Sequence, residues 1–561
     1  MDSTIKRSDL QARDICFLLD INYMGGLFRF STFPIDIDDE QENTTIRYFG
    51  GLADPDINMQ TEIVGFNPES NKISLELIFP DINWVTEWTR GRVLDNASCQ
   101  LSMITVKNNK TNFTMQNRVS LFSGFASGAI FGTPDKPTGH VAFTIENDLL
   151  ITDRKVIQDY QYLEKFEFPL IWNPSEGKII PFVFGKPGGW PRPGGDYFDF
   201  NGNSGSVPTY SGIFTNGSLF EFIVSYDITP AGNIRVFDSE GGFFENPIET
   251  ATDSNGQIYS YVAYNFGSPP ELVDNNFNAT GVQDLTYWLD FSDSNGAQTS
   301  PYTNGILQGA GDICIYFLER SGLAFDVEAW HGVRLFLNKY KFDGYINDPN
   351  STWFEWLKES IIKYLPIEVV NSGRGLKPVV NLYFTSEEIN PSHYVTDSGD
   401  FQIVTGLQPL DVEIVNSIKL FYAFDGAYEK FNAILRFNPD LDPRKNYMPT
   451  YIPTQIGKMS MEQYGLQEKI IEIYNLYDLD TAMRIGHDML RMQAMGAMAL
   501  EVSAAASMGY IDVGDILSLS SSHLGFTNYK CQIVSKSWQG NRWRFIIHLE
   551  NNSLINANQY Q

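Results

Sequence analysis

Residues Leu479 to Leu549 read LDTAMRIGHDMLRMQAMGAMALEVSAAASMGYIDVGDILSLSSSHLGFTNYKCQIVSKSWQGNRWRFIIHL. The first part has helical period. Ala482, Ile485, Met489 and Met492 share one face, and Asp480 is the expected N-cap. Short strands then follow: ALEVSA, DILSLSS, YKCQIVSKSW and RWRFIIHLE, with Gly514-Asp515 and Gln539-Gly540-Asn541 as turns. In the last strand Trp543, Phe545, Ile547 and Leu549 point one way, and His548 falls on the other, as a surface or interface residue. A capped helix feeding alternating strands describes a small β-barrel.

The other end of the chain has the same texture. ICFLLDINY, TIRYFGGL, KISLELIFP, CQLSMITV and GHVAFTIEN are apolar runs separated by turn chemistry such as Asn67-Pro68-Glu69-Ser70-Asn71. In KISLELIFP, Ile73, Leu75, Leu77 and Phe79 alternate as in a half-buried strand. The spacing predicts a small barrel or sandwich within residues 1–150, and a barrel at each end hints at internal duplication.

Between the ends, the β-type run Ile179 to Phe184 enters a Gly/Pro loop from Gly185 to Gly195. Its prolines remove amide donors and no Ser/Thr follows a Gly-Lys at phosphate-loop spacing, so it reads as an extended arm. Asp196 to Asn304 is rich in Asn, Gly and Ser, with β runs LFEFIVSYDI and IYSYVAYNF, and reads as an all-β insertion. Helices follow. GDICIYFLERSG has Asp312 as N-cap and stops at Gly322. AFDVEAWHGVRLFLNKY places Val327, Trp330, Val333 and Leu337 on one face. STWFEWLKESIIKYLP has Ser351 as N-cap, an apolar face of Phe354, Leu357, Ile361 and Tyr364, and ends at Pro366. With the strand LKPVVNLYF these make an α/β unit. KLFYAFDGAYEKFNAILRF is a hairpin about Asp425-Gly426. The expected fold class is mainly β with α+β parts, two small β-barrels flanking a β-rich insertion and an α/β unit. The expected divisions are 1–150, 151–304, 305–415 and 416–561, the last holding the hairpin, the helix and the second barrel.

At 561 residues and 43% hydrophobic residues the chain needs several cores. Its formal net charge of -28, with 40 basic residues against 68 acidic ones, argues against phosphate binding. The polar start MDSTIKRSDLQARD has no apolar h-region, and no run of about 18 apolar residues occurs, so synthesis in a cytoplasm is expected. The Asn-x-Ser/Thr sequons at Asn96 and Asn112 reflect an Asn-rich composition.

The search for chemistry assigns no catalytic, cofactor-binding or metal residue. His140, His331, His393, His487, His523 and His548 are scattered, HExxH is absent, and His487 reads as a helix-surface residue. Cys99, Cys314 and Cys531 sit in apolar patterns that favour buried packing over nucleophilic work. Asp36-Ile37-Asp38-Asp39-Glu40 reads as a solvated acidic loop, without the spacing of a calcium loop. A carbohydrate-binding or glycan-cleaving β protein is the alternative, which would need a cleft of aromatic rings and, for cleavage, paired carboxylates.

In its order of segments the chain resembles the tail hub (tail-tip or baseplate hub) proteins of tailed bacteriophages. The resemblance rests on LFSGFASGAIFGTPDKPTGHVAFTIEND, on EGKIIPFVFGKPGG, on GAGDICIYFLERSG with LNKYKFDGYIND and WFEWLKESIIKYLP, and on the stretch from Leu479 through Gly514-Asp515 to DILSL. The matches spread from about Ile15 to Leu549, whereas Asp196 to Asn304 matches nothing in the family. The resemblance implies a non-enzymatic homotrimer in the virion tail tip, made in the host cytoplasm. Each subunit would bring two barrels to a pseudo-sixfold ring. Its partners would be a tail tube or distal tail protein, tip or fibre proteins and a tape-measure protein. DNA would pass without specific binding, the acidic charge keeping it from sticking.

Overall fold

In a computed structural model the chain is mainly β with α+β parts. The structure describes residues 15–39, 42–60, 72–78, 94–105, 118–146, 153–188, 207–265, 287–291, 298–384, 393–438 and 451–549, with short gaps inside these spans. Most of the Gly/Pro loop, from residue 189 onward, lies outside them, as do Phe79 and Asn112.

The first barrel is built from strands Ile15–Tyr23, Gly26–Ser31, Lys72–Ile78, Ser98–Thr105, Val119–Thr133 and Lys136–Glu146, each antiparallel to its partners among these strands. Residues 51–57 close it. Leu52 bridges Leu77 and Asp56 bridges Ser74, while the Leu52 N–H donates to Ser31 O at 3.0 Å. Ile73, Leu75 and Leu77 are buried as their alternation requires. The run ICFLL is apolar on both faces because both are covered. Phe17 and Leu19 enter the barrel core, whereas Cys16 and Leu18 pack outside with Ile35, Ile37 and Tyr48. Asp36 to Asp39 is therefore not a loop. It belongs to strand Ile35–Asp39, antiparallel to Thr44–Gly50, with Ile35 and Ile37 buried and Asp36 outside.

The second barrel runs in the order His393–Thr396, Ile516–Ser521, Phe526–Gln539, Arg542–Leu549, Met498–Ala504 and Phe401–Ile403. A bridge between Ser398 and Phe401 closes it. Trp543, Phe545, Ile547 and Leu549 all face its core. Gly514 has φ 88°, so a glycine suits the turn before Asp515.

A third core holds helices α1 (Ala310–Ser321), α2 (Val327–Leu337) and α3 (Trp353–Ser360). With them pack α4 (Gln455–Tyr464) and α5 (Leu479–Gln493). Its four-stranded sheet has the order Tyr451–Pro453, Lys430–Asn438, Ser417–Asp425 and Glu468–Glu472. The expected hairpin about Asp425 is present, but it and α5 share this core rather than that of the second barrel. The α5 face of Ala482, Ile485, Met489 and Met492 is buried on it.

Three N-caps differ from the expected residues. They are Gly309, Thr352 and Asp478 in place of Asp312, Ser351 and Asp480. Asp478 accepts from the Thr481 N–H at 2.9 Å. Asp312 is instead buried one turn in, accepting from Asn338 Nδ2 at 2.7 Å and from Ser300 Oγ. Gly322, at φ 82°, ends α1 as expected.

The insertion forms a seven-stranded antiparallel sheet. It runs Val207–Thr209, Tyr287–Asp290, Asn233–Asp238, Phe243–Thr252, Ile258–Asn265, Leu219–Tyr226 and Ser211–Phe214. A small cluster of Leu163, Ile180, Ile223 and Tyr259 joins it to the arm.

Candidate functional site

The two barrels are not separate beads. Residues 58–60, just after the segment that closes the first barrel, pair antiparallel with Ser535 to Ser537 of the second. The Trp538 N–H donates to Ile57 O at 3.0 Å beside them. Beneath this strand the two interiors are one core. Phe17 of the first barrel meets Trp538 edge-on at 5.4 Å and Trp543 at 6.4 Å, and the two tryptophans lie 4.9 Å apart. Aromatic pairs at these separations add to the area term of burial.

Close approach fixes the seam's shape. A Cβ on Gly509 would stand 2.3 Å from Met103 Cε and 2.7 Å from Trp543 Nε1, so a larger residue there would displace the Met103 tip or the indole. The Trp543 indole donates to Ala506 O at 3.1 Å, which satisfies the ring's polar edge in the core. The hairpin Ile367–Ser372 and Gly375–Val380 wedges Val370 and Val379 into the same core.

A buried polar cluster lies against the seam. Lys536 is fully enclosed, yet its Nζ donates to Gly509 O at 2.8 Å, stands 3.7 Å from Asp512 Oδ1 and lies 4.9 Å over the Trp543 ring. Burial pulls this ammonium below the usual lysine range, partly offset by Asp512 and Asp515. Asp515 accepts from Lys377 Nζ at 3.2 Å and from the Asp512 N–H at 2.8 Å, and His393 Nε2 lies 3.4 Å away. Burial alone would raise the Asp515 carboxyl, but His393 and Lys377 outweigh it and hold it low. Removing one partner of such a buried group costs far more than the pair contributes, so the cluster pins the seam's geometry.

The other sequence candidates are dispersed. His487 is half-buried on α5, not on its surface, with its ring edge-on to Phe437 at 5.1 Å. Burial keeps it neutral further down the pH scale than usual. His548 is buried, not exposed. It lies 5.6 Å from the Tyr383 ring, beneath the turn Leu382–Phe384 that covers this face of the strand. Cys16, Cys99, Cys314 and Cys531 are all buried free thiols, as the apolar patterns of the last three indicate. Burial pushes Cys99 up to about 12 and raises Cys314 and Cys531 further. His140 Nδ1 lies 2.8 Å from Glu76 Oε1 on the outside of the first barrel. Among the described residues no three His, Cys, Asp or Glu side chains are placed to hold a metal ion. No helix among them is long and apolar enough to cross a membrane.

No family model and no curated protein matches the chain. Solved structures do. It is similar to a tail protein of Neisseria meningitidis MC58 at 6% identity and a TM-score of 0.36, covering 96% of this chain and 97% of that one. It is similar to the 43 kDa tail protein of prophage MuSo2 from Shewanella oneidensis at 6% identity and a TM-score of 0.36, covering 96% and 98%. A chain of the virion of a native gene transfer agent particle aligns at 10% identity and a TM-score of 0.35, over 68% of this chain and 86% of that one.

Proposed function

We propose that the chain is the structural hub of a phage tail tip: a homotrimeric ring in the virion, joining a tail tube or distal tail protein to tip or fibre proteins. The observation that carries this reading is the pair of closed barrels welded into one core. Closed barrels have few edges of their own to pair, so they suit side-by-side packing around an axis. Three such chains supply six barrels, enough to meet a sixfold tube on one face and a threefold tip on the other. The order of segments seen in the sequence supports the same assignment.

In this role the protein does no covalent chemistry. A tape-measure protein and then DNA would pass the lumen of the ring, and the net charge of -28 lets the polyanion through without adsorption. Native mass spectrometry and negative-stain imaging test the reading, with and without purified tail tubes. Threefold rings, free or capping tube ends, are expected. A chain that stays monomeric at micromolar concentration and also leaves tube ends uncapped refutes it.

A further inference from the structure

Beside the four-stranded sheet of the third core lies a cleft of about 290 Å³ that the hub role does not use. Its walls are aromatic: Tyr345, Trp356, Tyr364, Phe424, Tyr474 and Tyr477. The walls are also stiff. Trp356 is held by Phe184 and Phe317, each 5.6 Å away. The Tyr364 hydroxyl donates to Glu472 O at 3.0 Å, and the Tyr477 hydroxyl donates to Phe424 O at 2.8 Å. Tyr474 packs edge-on to Phe424 at 4.7 Å yet remains 50% exposed, so it forms the lip.

The polar groups of the lining are Asn347, Ser360, Asn475, Glu359 and Lys363. Two amides and a hydroxyl both donate and accept, which matches ligand hydroxyls that do the same. One carboxylate against one ammonium leaves no net charge to select an ion. Rings fixed before binding lower the entropy lost on association. The volume lies just below the range usual for small-molecule sites, roughly 300–1,000 Å³, which suits a ligand of about one or two sugar rings.

We infer that this cleft is a binding site for a neutral pyranose of a surface glycan, its apolar ring face stacked on Tyr474 and Trp356 and its hydroxyls held by Asn347 and Asn475. Among the described lining residues Glu359 is the one carboxylate, where glycoside hydrolysis uses two. The site thus binds and does not cleave. The inference stands apart from the ring, since every lining residue comes from one chain.

Saturation-transfer NMR and calorimetry on the full chain test it, with maltotetraose and chitotetraose as neutral probes and sialyllactose as a charged control. Saturable binding of a neutral tetrasaccharide, weakened about tenfold or more by Tyr474→Ala and by Asn347→Ala, is the expected result. Asn347 is exposed and Tyr474 half-exposed, so both variants should fold, Asn347→Ala at the wild-type melting temperature and Tyr474→Ala with only the loss of its packing on Phe424. The choice between the two probes distinguishes a glucan from an N-acetylated glycan. No binding of either tetrasaccharide up to about 10 mM overturns the inference. So does binding that both variants leave unchanged, or preference for the charged control.

Discussion

His548 offers a direct test of how completely the second barrel is covered. Its side chain points out of the barrel, but the turn Leu382–Phe384 lies over it and the residue is 1% exposed. Gln532, its cross-strand neighbour, holds that turn through bonds to Val380 O at 2.8 Å and from the Leu382 N–H at 3.1 Å. Burial pushes the imidazole down from 6.5 to about 4. Between those values the unfolded chain binds a proton that the folded chain refuses. Stability is therefore full above the unfolded pKa and is lost as pH falls from 6.5 toward 4. The gap corresponds to about 3 kcal/mol in full, and to about 2.5 kcal/mol by about pH 4.5. The carboxyl of Asp515 is held low, so its contribution is lost only below the ordinary carboxylate range, under the histidine window. The assay is urea unfolding of wild type and His548→Phe at neutral pH and about pH 4.5, because the variant cancels every other titration. The variant should gain about 2–3 kcal/mol relative to wild type on acidification. A stability difference that stays constant within about 0.5 kcal/mol across that range refutes the reasoning.

Other expectations follow from the same contacts. Phe17→Ala should cost about 3–5 kcal/mol and, in hydrogen exchange, loosen Ser98–Thr105 and Arg542–Leu549 together, because the ring belongs to both barrels; loosening of the first barrel alone contradicts a shared core. Gly375→Ala should destabilise by about 2 kcal/mol or more in denaturant titration, since its φ is 99° and a Cβ would lie 2.3 Å from Ala324 O. A thiol reagent should label none of the four cysteines in the native protein and all four in denaturant, given the burial of all four and the raised pKa values of Cys99, Cys314 and Cys531; rapid native labelling of Cys99 would show that the first barrel opens.

Where one face decides burial, the sequence showed it. Ile73, Leu75 and Leu77, the Trp543 to Leu549 alternation and the α5 face all lie where their periods put them. Asp36 to Asp39 was legible too: Ile35 and Ile37 alternate with Asp36 and Asp38, but the density of carboxylates masked a two-residue period. Cap positions were less legible, because several acceptors stand within one turn and only tertiary contacts choose. Asp312 is taken by Asn338, which leaves Gly309 to begin α1. His548 could not be read, since its cover comes from residues more than 150 positions away. The seam was equally hidden. Nothing local in Asn58, Met59 and Gln60 marks a strand that pairs in another barrel, and the aromatic cleft gathers residues from Tyr345 to Tyr477.

The strand joining the barrels also sets a clock. Its two halves are separated by about 480 residues of chain, and at roughly 5–20 residues per second a ribosome needs about half a minute to a minute and a half between them. Throughout that interval the first barrel exists without its neighbour, and Phe17 has no tryptophans to meet. The weld closes only when Phe526–Gln539 and Arg542–Leu549 have emerged, so until then the chain presents the first barrel alone.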